Sequence, residues 1–408
     1  MKKTADLVFT VLFLLFLGAV AAITLKQSDS TYSYFENRSL AKAPEYSRES
    51  LLDGSLFSAW ERFSTDHAAG RGTMIRISTL LRMKLLKLPQ VNEVVITEDR
   101  LLHFYPYGSW DDADPVQQSA ETAQSLAELQ AVLPQIPFAI WELQAHVEEN
   151  GGRFYFVGLP NQLSYFQECY PDYLDRAEDY LPALHQAFSA ALAREGVHYI
   201  DLVSAFEAAG RPAEYYTETD HHYSLKGAMF SYRAIVERLQ ADGLAVPLLE
   251  EEDWEYTTLP NPFLGSRNRK LYALWETHDR LTYAVPREEI PFTRMDNGQE
   301  VEPTVLRLPE NDTEPVEYLV YMGGDKGETI LRTDRPELPK VLIFGDSFTN
   351  ALETLLYPSF DEMRSLDLRH YNAKTLWEYI EEYQPDIVLD IRDDSSWGDP
   401  TSPNSIFR

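Results

Sequence analysis
Apolar residues run unbroken near the amino terminus. From Leu7 to Leu25 no charge intervenes between Asp6 and Lys26, a stretch long enough to cross a bilayer core as one helix. Lys2 and Lys3 ahead of it set the amino terminus inside and the remainder outside. A cleavable signal peptide is the rival reading, with "AVA" at 19–21 as a small-residue cleavage site. The length of the run favours an uncleaved anchor over residues 1–26. Residues 27–48 are polar and aperiodic, as in a juxtamembrane linker. Leu52, Leu56, Trp60 and Phe63, then Ile77, Leu81 and Leu85, recur at helical spacing and predict two helices within 50–88. In the loop "STDHAAGRG" between them, Asp66 and Arg71 either pair, line a site or merely connect the helices.

Beyond this lead-in the pattern changes. "VNEVVITEDRLLHFY", 91–105, predicts two short strands about a turn at Glu98–Asp99. A polar-faced helical region follows from 115 to 149, which Pro134 and Pro137 should break. "RFYFVGLP" then reads as a buried parallel strand, 176–194 as a helix, and "GVHYIDLVSAF" as another strand. The rhythm returns with "KVLIFGDSF", a helix at 349–356, "MRSLDLRHY", a helix at 374–383 and "PDIVLDIRDD". Such alternation predicts an α/β fold with a mainly parallel sheet covered on both faces. Between 250 and 335 Pro, Thr, Tyr and charges replace it, so this segment is expected to be a β-rich insertion bordering the substrate groove. The expected organisation is an anchor (1–26), a linker and helical lead-in (27–90), two parts of one α/β domain (91–249 and 336–408), and the insertion between them (250–335).

Composition narrows the function. The chain has 408 residues, 44% hydrophobic and 12% aromatic, enough for a sizeable core. Its 36 basic and 65 acidic residues leave a net charge of −29. That field disfavours nucleic acid, anionic lipid surfaces and highly anionic glycans unless a local basic patch exists, and none stands out. The single cysteine, Cys169, permits no intramolecular disulfide and no cysteine zinc site. Without a local signature it reads as inert rather than nucleophilic.

Candidate chemistry lies in two places. "YYTETDHHYSLKGAMF", 215–230, sets Asp220 beside two of only nine histidines, ahead of a helix whose buried face holds Leu225, Met229, Tyr232, Val236 and Leu239. A metal site, a general-base dyad and a plain polar loop compete here. Two histidines and a carboxylate suit zinc or iron, but adjacent histidines rarely reach one ion and H-E-x-x-H is absent. In "KVLIFGDSFTNALETLL", Val341–Phe344 read as a buried strand, Gly345 as the residue permitting a tight turn, and Ser347 as the start of a helix. A serine there lies where α/β sheets bind ligands, with helix N–H groups for an oxyanion, yet it is equally a good N-cap. As a nucleophile it needs a base oriented by an acid. Asp220 and His222, two apart, project together if the segment is extended, leaving His221 to pack or face solvent.

Together, "TDHHYS" and "FGDSF" resemble the DHHW proteins, relatives of the SGNH-like alginate O-acetylation proteins. "YFENRSLAKAP", "DGSLFSAWERFSTDHAAGR", "FVGLPNQLSY" and "SLDLRHYN" echo the family in the same order. The resemblance implies a three-layer α/β/α SGNH-hydrolase-like domain outside the membrane, with Ser347 as nucleophile, His222 as base and Asp220 as its orienting acid. It implies acetyl transfer to or from an exported or cell-surface glycan, no metal or organic cofactor, and a membrane-bound O-acyltransferase partner that hands acetyl across the membrane. A plain carbohydrate acetylesterase, or a non-catalytic glycan-binding or assembly protein on the same fold, are the alternatives. Tyr223 departs from the tryptophan the family name expects, and the separate glycine and G-x-N-D blocks of ordinary SGNH hydrolases are missing. Oxyanion or substrate candidates are the Ser347 N–H, Asn161 (otherwise a turn residue after Pro160), Asn350 and Tyr371.

Overall fold
The computed structural model describes residues 2–26, 30–36, 38–103, 135–171, 181–394 and 397. It divides into one unit of Met1–Val94 with Asn268–Glu276, and a larger one of Val95–Arg267 with Thr277–Arg408.

The first unit is helical: α1 (Lys2–Lys26), α2 (Arg48–Leu52), α3 (Ser55–Asp66) and α4 (Arg71–Leu80), the last continued by a π-helical turn over Leu81–Leu85. Within α1, Asp6–Thr24 is long and apolar enough to cross a membrane, and its large apolar side chains from Leu7 to Leu17, with Ile23, are exposed. Asp66 and Arg71 do not pair with each other. Arg38 grips Asp66 with two hydrogen bonds, of 2.6 and 3.0 Å, and Arg71 grips Glu36 through both carboxylate oxygens. These fork-to-fork pairs join the "FENRSL" and "DHAAGR" segments, whose role is therefore to staple this unit.

Eight strands build the sheet of the larger unit: β1 (Arg153–Leu159), β2 (Tyr199–Asp201), β3 (Thr293–Asp296), β4 (Gln299–Val301), β5 (Glu328–Arg332), β6 (Val341–Gly345), β7 (Glu362–Leu366) and β8 (Ile387–Asp393). Their spatial order is β4-β3-β5-β7-β6-β8-β1-β2. From β7 to β2 all neighbours are parallel, and β5, β3 and β4 extend the sheet antiparallel. The 250–335 segment thus contributes three strands to the main sheet, beside a separate hairpin of Trp254–Thr258 with Thr282–Pro286.

Side chains alternate across the central strands, so each face has its own core. Tyr155, Val157, Val341, Ile343, Leu389 and Ile391 pack with α8 (Leu225–Ala241) and α9 (Thr349–Leu356). Phe154, Phe156, Leu342, Phe344 and Val388 pack with α5 (Gln135–Glu149), α6 (Leu181–Glu195) and α10 (Leu376–Tyr383). The result is the three-layer α/β/α arrangement. Every residue of β6 is buried, which explains why it reads as an unbroken apolar run.

Two local expectations are corrected. Pro137 does not break its helix, because it lies in the first turn of α5, where its missing N–H has no acceptor to lose. Residues 115–134, the rest of that expected helix, lie outside the described residues. "YIDLVSAF" is a strand only to Asp201; there the carboxylate accepts the Ser204 N–H at 3.0 Å and caps α7 (Leu202–Ala208).

Candidate active site
Strands β6, β8 and β1 end together, and the crossovers from β1 to β2 and from β6 to β7 leave in opposite directions. Such a carboxyl edge is where open α/β sheets receive ligands. Ser347 follows β6 there. Gly345 does not supply a left-handed turn. It is the last residue of the strand, and a Cβ on it would sit 2.1 Å from the Ile391 carbonyl oxygen of β8, so glycine serves close approach between neighbouring strands. After it the Asp346 carboxylate accepts the Phe348 N–H at 2.9 Å and the Asp393 N–H at 3.3 Å. Ser347 is thereby held two residues ahead of α9, and its own N–H donates to no described residue.

The 216–223 loop supplies the partners. It closes by a bridge between Tyr216 and Tyr223 and bends tightly, not as the extended segment the alternation argument assumed. Asp220 Oδ1 instead accepts the backbone N–H groups of His221 (2.7 Å) and His222 (3.2 Å), which folds the loop about its own carboxylate. The same oxygen lies 2.6 Å from His222 Nδ1, and His222 Nε2 lies 2.7 Å from Ser347 Oγ. Asp220, His222 and Ser347 therefore form one continuous relay. With Nδ1–H donating to Asp220, Nε2 is left to accept the serine proton. Burial alone would raise the Asp220 carboxyl; the His221 and His222 imidazoles, by charge and hydrogen bond, outweigh it and hold the group well below the usual carboxylate range.

Two features of the site lie in the 250–335 segment and escaped sequence reasoning. Ser266 N–H donates to Asp220 Oδ2 at 2.6 Å, and its hydroxyl meets His221 Nδ1 at 2.9 Å. Tyr318 stacks flat on the His222 ring, 3.7 Å between centroids at an angle of 2°. Neither carries a spacing signal; only the glycine ahead of Ser266 hints at a close approach. The His221 ring packs against His222 with 3.7 Å between centroids, tilted by 38°. Burial, then the neighbouring His222, push its imidazole down to about 4, so it is neutral at physiological pH. Tyr223, in place of the expected tryptophan, donates its hydroxyl to the Phe348 carbonyl and so ties the histidine loop to the serine turn.

The other candidates separate. Asn161 lies at the same carboxyl edge, just after β1. Its Oδ1 accepts from Leu163 and Ser164 N–H at 2.7 and 3.1 Å, capping the short helix Gln162–Tyr165, while its Nδ2 donates to no described residue. Asn350 spends its amide on Asp325 at 2.8 Å. Tyr371 packs edge-on against Tyr379, 5.6 Å between centroids, with the core of the opposite sheet face. Asp220, His221 and His222 are close enough for a metal ion, but both Asp220 oxygens and both His222 nitrogens already have partners that an ion would displace. Cys169 is exposed in a short 3-10 turn, and burial of its sulfur raises its thiol, the opposite of an activated nucleophile. A cavity of about 970 Å³ borders the histidine loop, with Tyr223 and Tyr318 in its wall, but neither His222 nor Ser347 lines it.

Against known proteins, a family model described as the SGNH hydrolase-like domain of acetyltransferase AlgX matches residues 117–306, which include Asp220 and His222 and end before Ser347. No curated protein matches the sequence. Among solved structures, Bacillus cereus PatB1 is 22% identical with a TM-score of 0.60, over 77% of this chain and 98% of that one. The same protein carrying a sulfonyl adduct gives 22% and 0.58, over 76% and 96%. A DHHW family protein from Eubacterium siraeum is 20% identical with a TM-score of 0.56, over 78% and 96%. Over residues 117–306 the chain is similar to the SGNH hydrolase-like domain of acetyltransferase AlgX, and it shares its fold with PatB1 and the DHHW protein.

Proposed function
We propose that this protein is a serine-dependent O-acetyl transfer enzyme acting on an exported or cell-surface polysaccharide, held by α1 in the membrane with its larger unit outside the cytoplasm. The observation that carries the reading is the His222 ring bridging Ser347 Oγ and Asp220 Oδ1 at 2.7 and 2.6 Å. The family model named for an acetyltransferase supports the choice of acyl group.

In the first half-reaction His222 Nε2 takes the Ser347 proton while Oγ attacks the carbonyl carbon of an acetyl ester. The Ser347 N–H receives the oxyanion, joined by Asn161 Nδ2 as the second donor. Collapse expels the donor's alkoxide, which takes the proton back from His222, and leaves acetyl-Ser347. A sugar hydroxyl then gives its proton to His222 and attacks that ester, and the second collapse releases the acetylated glycan and restores the serine. Asp220 stays ionised throughout and stabilises the imidazolium. A membrane-bound O-acyltransferase partner supplies acetyl outside the membrane, and no metal takes part.

Ser347→Ala and His222→Ala should each abolish hydrolysis of an activated acetate ester without changing the thermal melt. A sulfonyl fluoride should label the wild-type chain at Ser347. Wild-type rates in both variants would remove the proposal. Incubation with an acetyl ester and a glycan then distinguishes acetylated glycan, the transferase outcome, from free acetate, the esterase one.

A further inference from the structure
Helix α4 and its π-helical continuation bury the wrong face for a soluble helix. Thr79 and Met83 point inward, whereas Met74, Ile77, Leu81 and Leu85, three or four apart along one side, are all exposed. Exposure is 58% at Met74, 52% at Ile77 and 71% at Leu85. The spacing that predicts a core-facing helix here marks an apolar stripe that no described residue covers.

The charge around the stripe is as unusual. Residues 67–92 carry Arg71, Arg76, Arg82, Lys84 and Lys87 and no acidic residue, in a chain of net charge −29. A local basic patch therefore exists where the overall balance suggested none. Arg71 is paired with Glu36, but among the described residues Arg76, Lys84 and Lys87 have no acidic partner. Exposed apolar residues flanked by unpaired cations are the mark of a helix lying in a bilayer interface, acyl chains taking the stripe and anionic headgroups the cations.

Position supplies the remaining argument. The Ala69 N–H, one residue before the Gly70 cap of α4, donates to Thr24 Oγ1 at 3.1 Å. Thr24 is the last residue of the apolar span in α1. A span of that length brings it to the membrane surface, so α4 begins at headgroup depth. We propose that α4 and its continuation lie on the same bilayer that α1 crosses, held by anionic phospholipid. The inference rests on the membrane reading of α1.

Full-length protein with Cys169→Ser would be labelled with a polarity-sensitive fluorophore at Leu81→Cys or, as control, at exposed Glu310→Cys, and reconstituted into vesicles containing phosphatidylglycerol. Brominated lipid should quench the residue-81 label several-fold more than the residue-310 label, and iodide should quench it less. Combined Arg76→Glu, Lys84→Glu and Lys87→Glu should reverse most of that difference while leaving flotation with the vesicles intact. An iodide-accessible residue-81 label on floating vesicles overturns this inference alone, whereas loss of flotation overturns the membrane reading of α1 as well. Protection from iodide that grows with protein concentration in detergent assigns the stripe to a second copy of the chain, and overturns the inference too.

Discussion
Gly265 offers the most direct perturbation of how the site is held. A Cβ there would lie 2.2 Å from the carbonyl carbon and oxygen of Thr219 and 2.5 Å from Asp220 N. All three atoms are backbone, so no side chain can rotate away, and the 264–267 segment or the 217–222 loop must retreat by about an ångström to reach ordinary packing distance. That movement stretches two hydrogen bonds beyond useful length: Arg267 N–H to Thr219 O at 3.0 Å and Ser266 N–H to Asp220 Oδ2 at 2.6 Å. The first is worth about 1 kcal/mol and the second, to a buried carboxylate, about 1.5–3 kcal/mol. Gly265→Ala should therefore cost about 2–5 kcal/mol, a fall in Tm of roughly 4–10 °C for a unit of this size. Because His222 moves with the loop, kcat/KM for an activated acetate ester should fall by about 10²-fold. Thermal melts and steady-state kinetics read the two effects separately. Gly72→Ala, where a Cβ meets nothing within 4 Å, is the control and should leave both unchanged or raise Tm slightly. A Gly265→Ala enzyme with a wild-type melt and kcat/KM within twofold would refute the claim that the 250–335 segment braces the acid.

Three other changes test separate parts of the site. Asp220→Asn should lower kcat by about 10²–10⁴-fold and also lower the melt, because the amide nitrogen cannot accept the Ser266 N–H; sulfonyl fluoride labelling of Ser347 should slow in parallel, and unslowed labelling would count against a role in orienting His222. Tyr223→Phe leaves the buried Phe348 carbonyl without its donor and should cost about 1–3 kcal/mol, reducing kcat more than it raises KM; an unchanged melt would show the tie carries no load. Asp394, raised from 3.8 to about 7 by burial and then by the Asp393 carboxylate, keeps its proton in the folded chain over a range where the unfolded chain has lost it. Stability should therefore fall as pH rises from about 4 to 7, by at most about 4 kcal/mol. Asp394→Asn should flatten that slope in urea unfolding from pH 4.5 to 8, and an unaltered slope would refute the assignment.

What could be read in advance follows from where each signal resides. β6 and α9 are legible because a fully buried strand and a fully buried helix leave apolar runs with clear ends. Ser347, His222 and Asp220 are legible because two of only nine histidines stand beside an acid and a serine follows a buried apolar run. Ser266 and Tyr318 are not, since one acts through its backbone N–H and the other through a flat ring, and neither property has a sequence period. The 250–335 segment reads as a β-rich insertion because its strands are short and half-exposed; that β3, β4 and β5 pair in register with the main sheet is visible only in the fold. Pairing partners of antiparallel edge strands are not encoded in any window of the chain. Ile77, Leu81 and Leu85 show the opposite difficulty. Their period is plain, but a period gives the direction of an apolar face and not the medium that covers it.

The titration of the surrounding carboxyls bears on why the acid sits where it does. Asp346, next to Ser347 in sequence, is pushed well above its ordinary range by burial and then by Asp393, and Asp394 and Glu353 are also raised, burial first in each case. Asp220 is lowered instead, because the charges and hydrogen bonds of the His221 and His222 imidazoles outweigh its burial. The protein as a whole is strongly acidic, yet by this pattern the negative charge of the site is concentrated behind His222, where it favours the imidazolium. The carboxyls on the Ser347 side of the edge hold their protons to higher pH, which lessens repulsion of an oxyanion forming there. Opposite shifts in neighbouring acids are what an acyl-transfer site requires of its electrostatics. Here they arise from what faces each carboxyl: two imidazoles stand against Asp220, whereas burial and the Asp393 carboxylate dominate at Asp346 and Asp394.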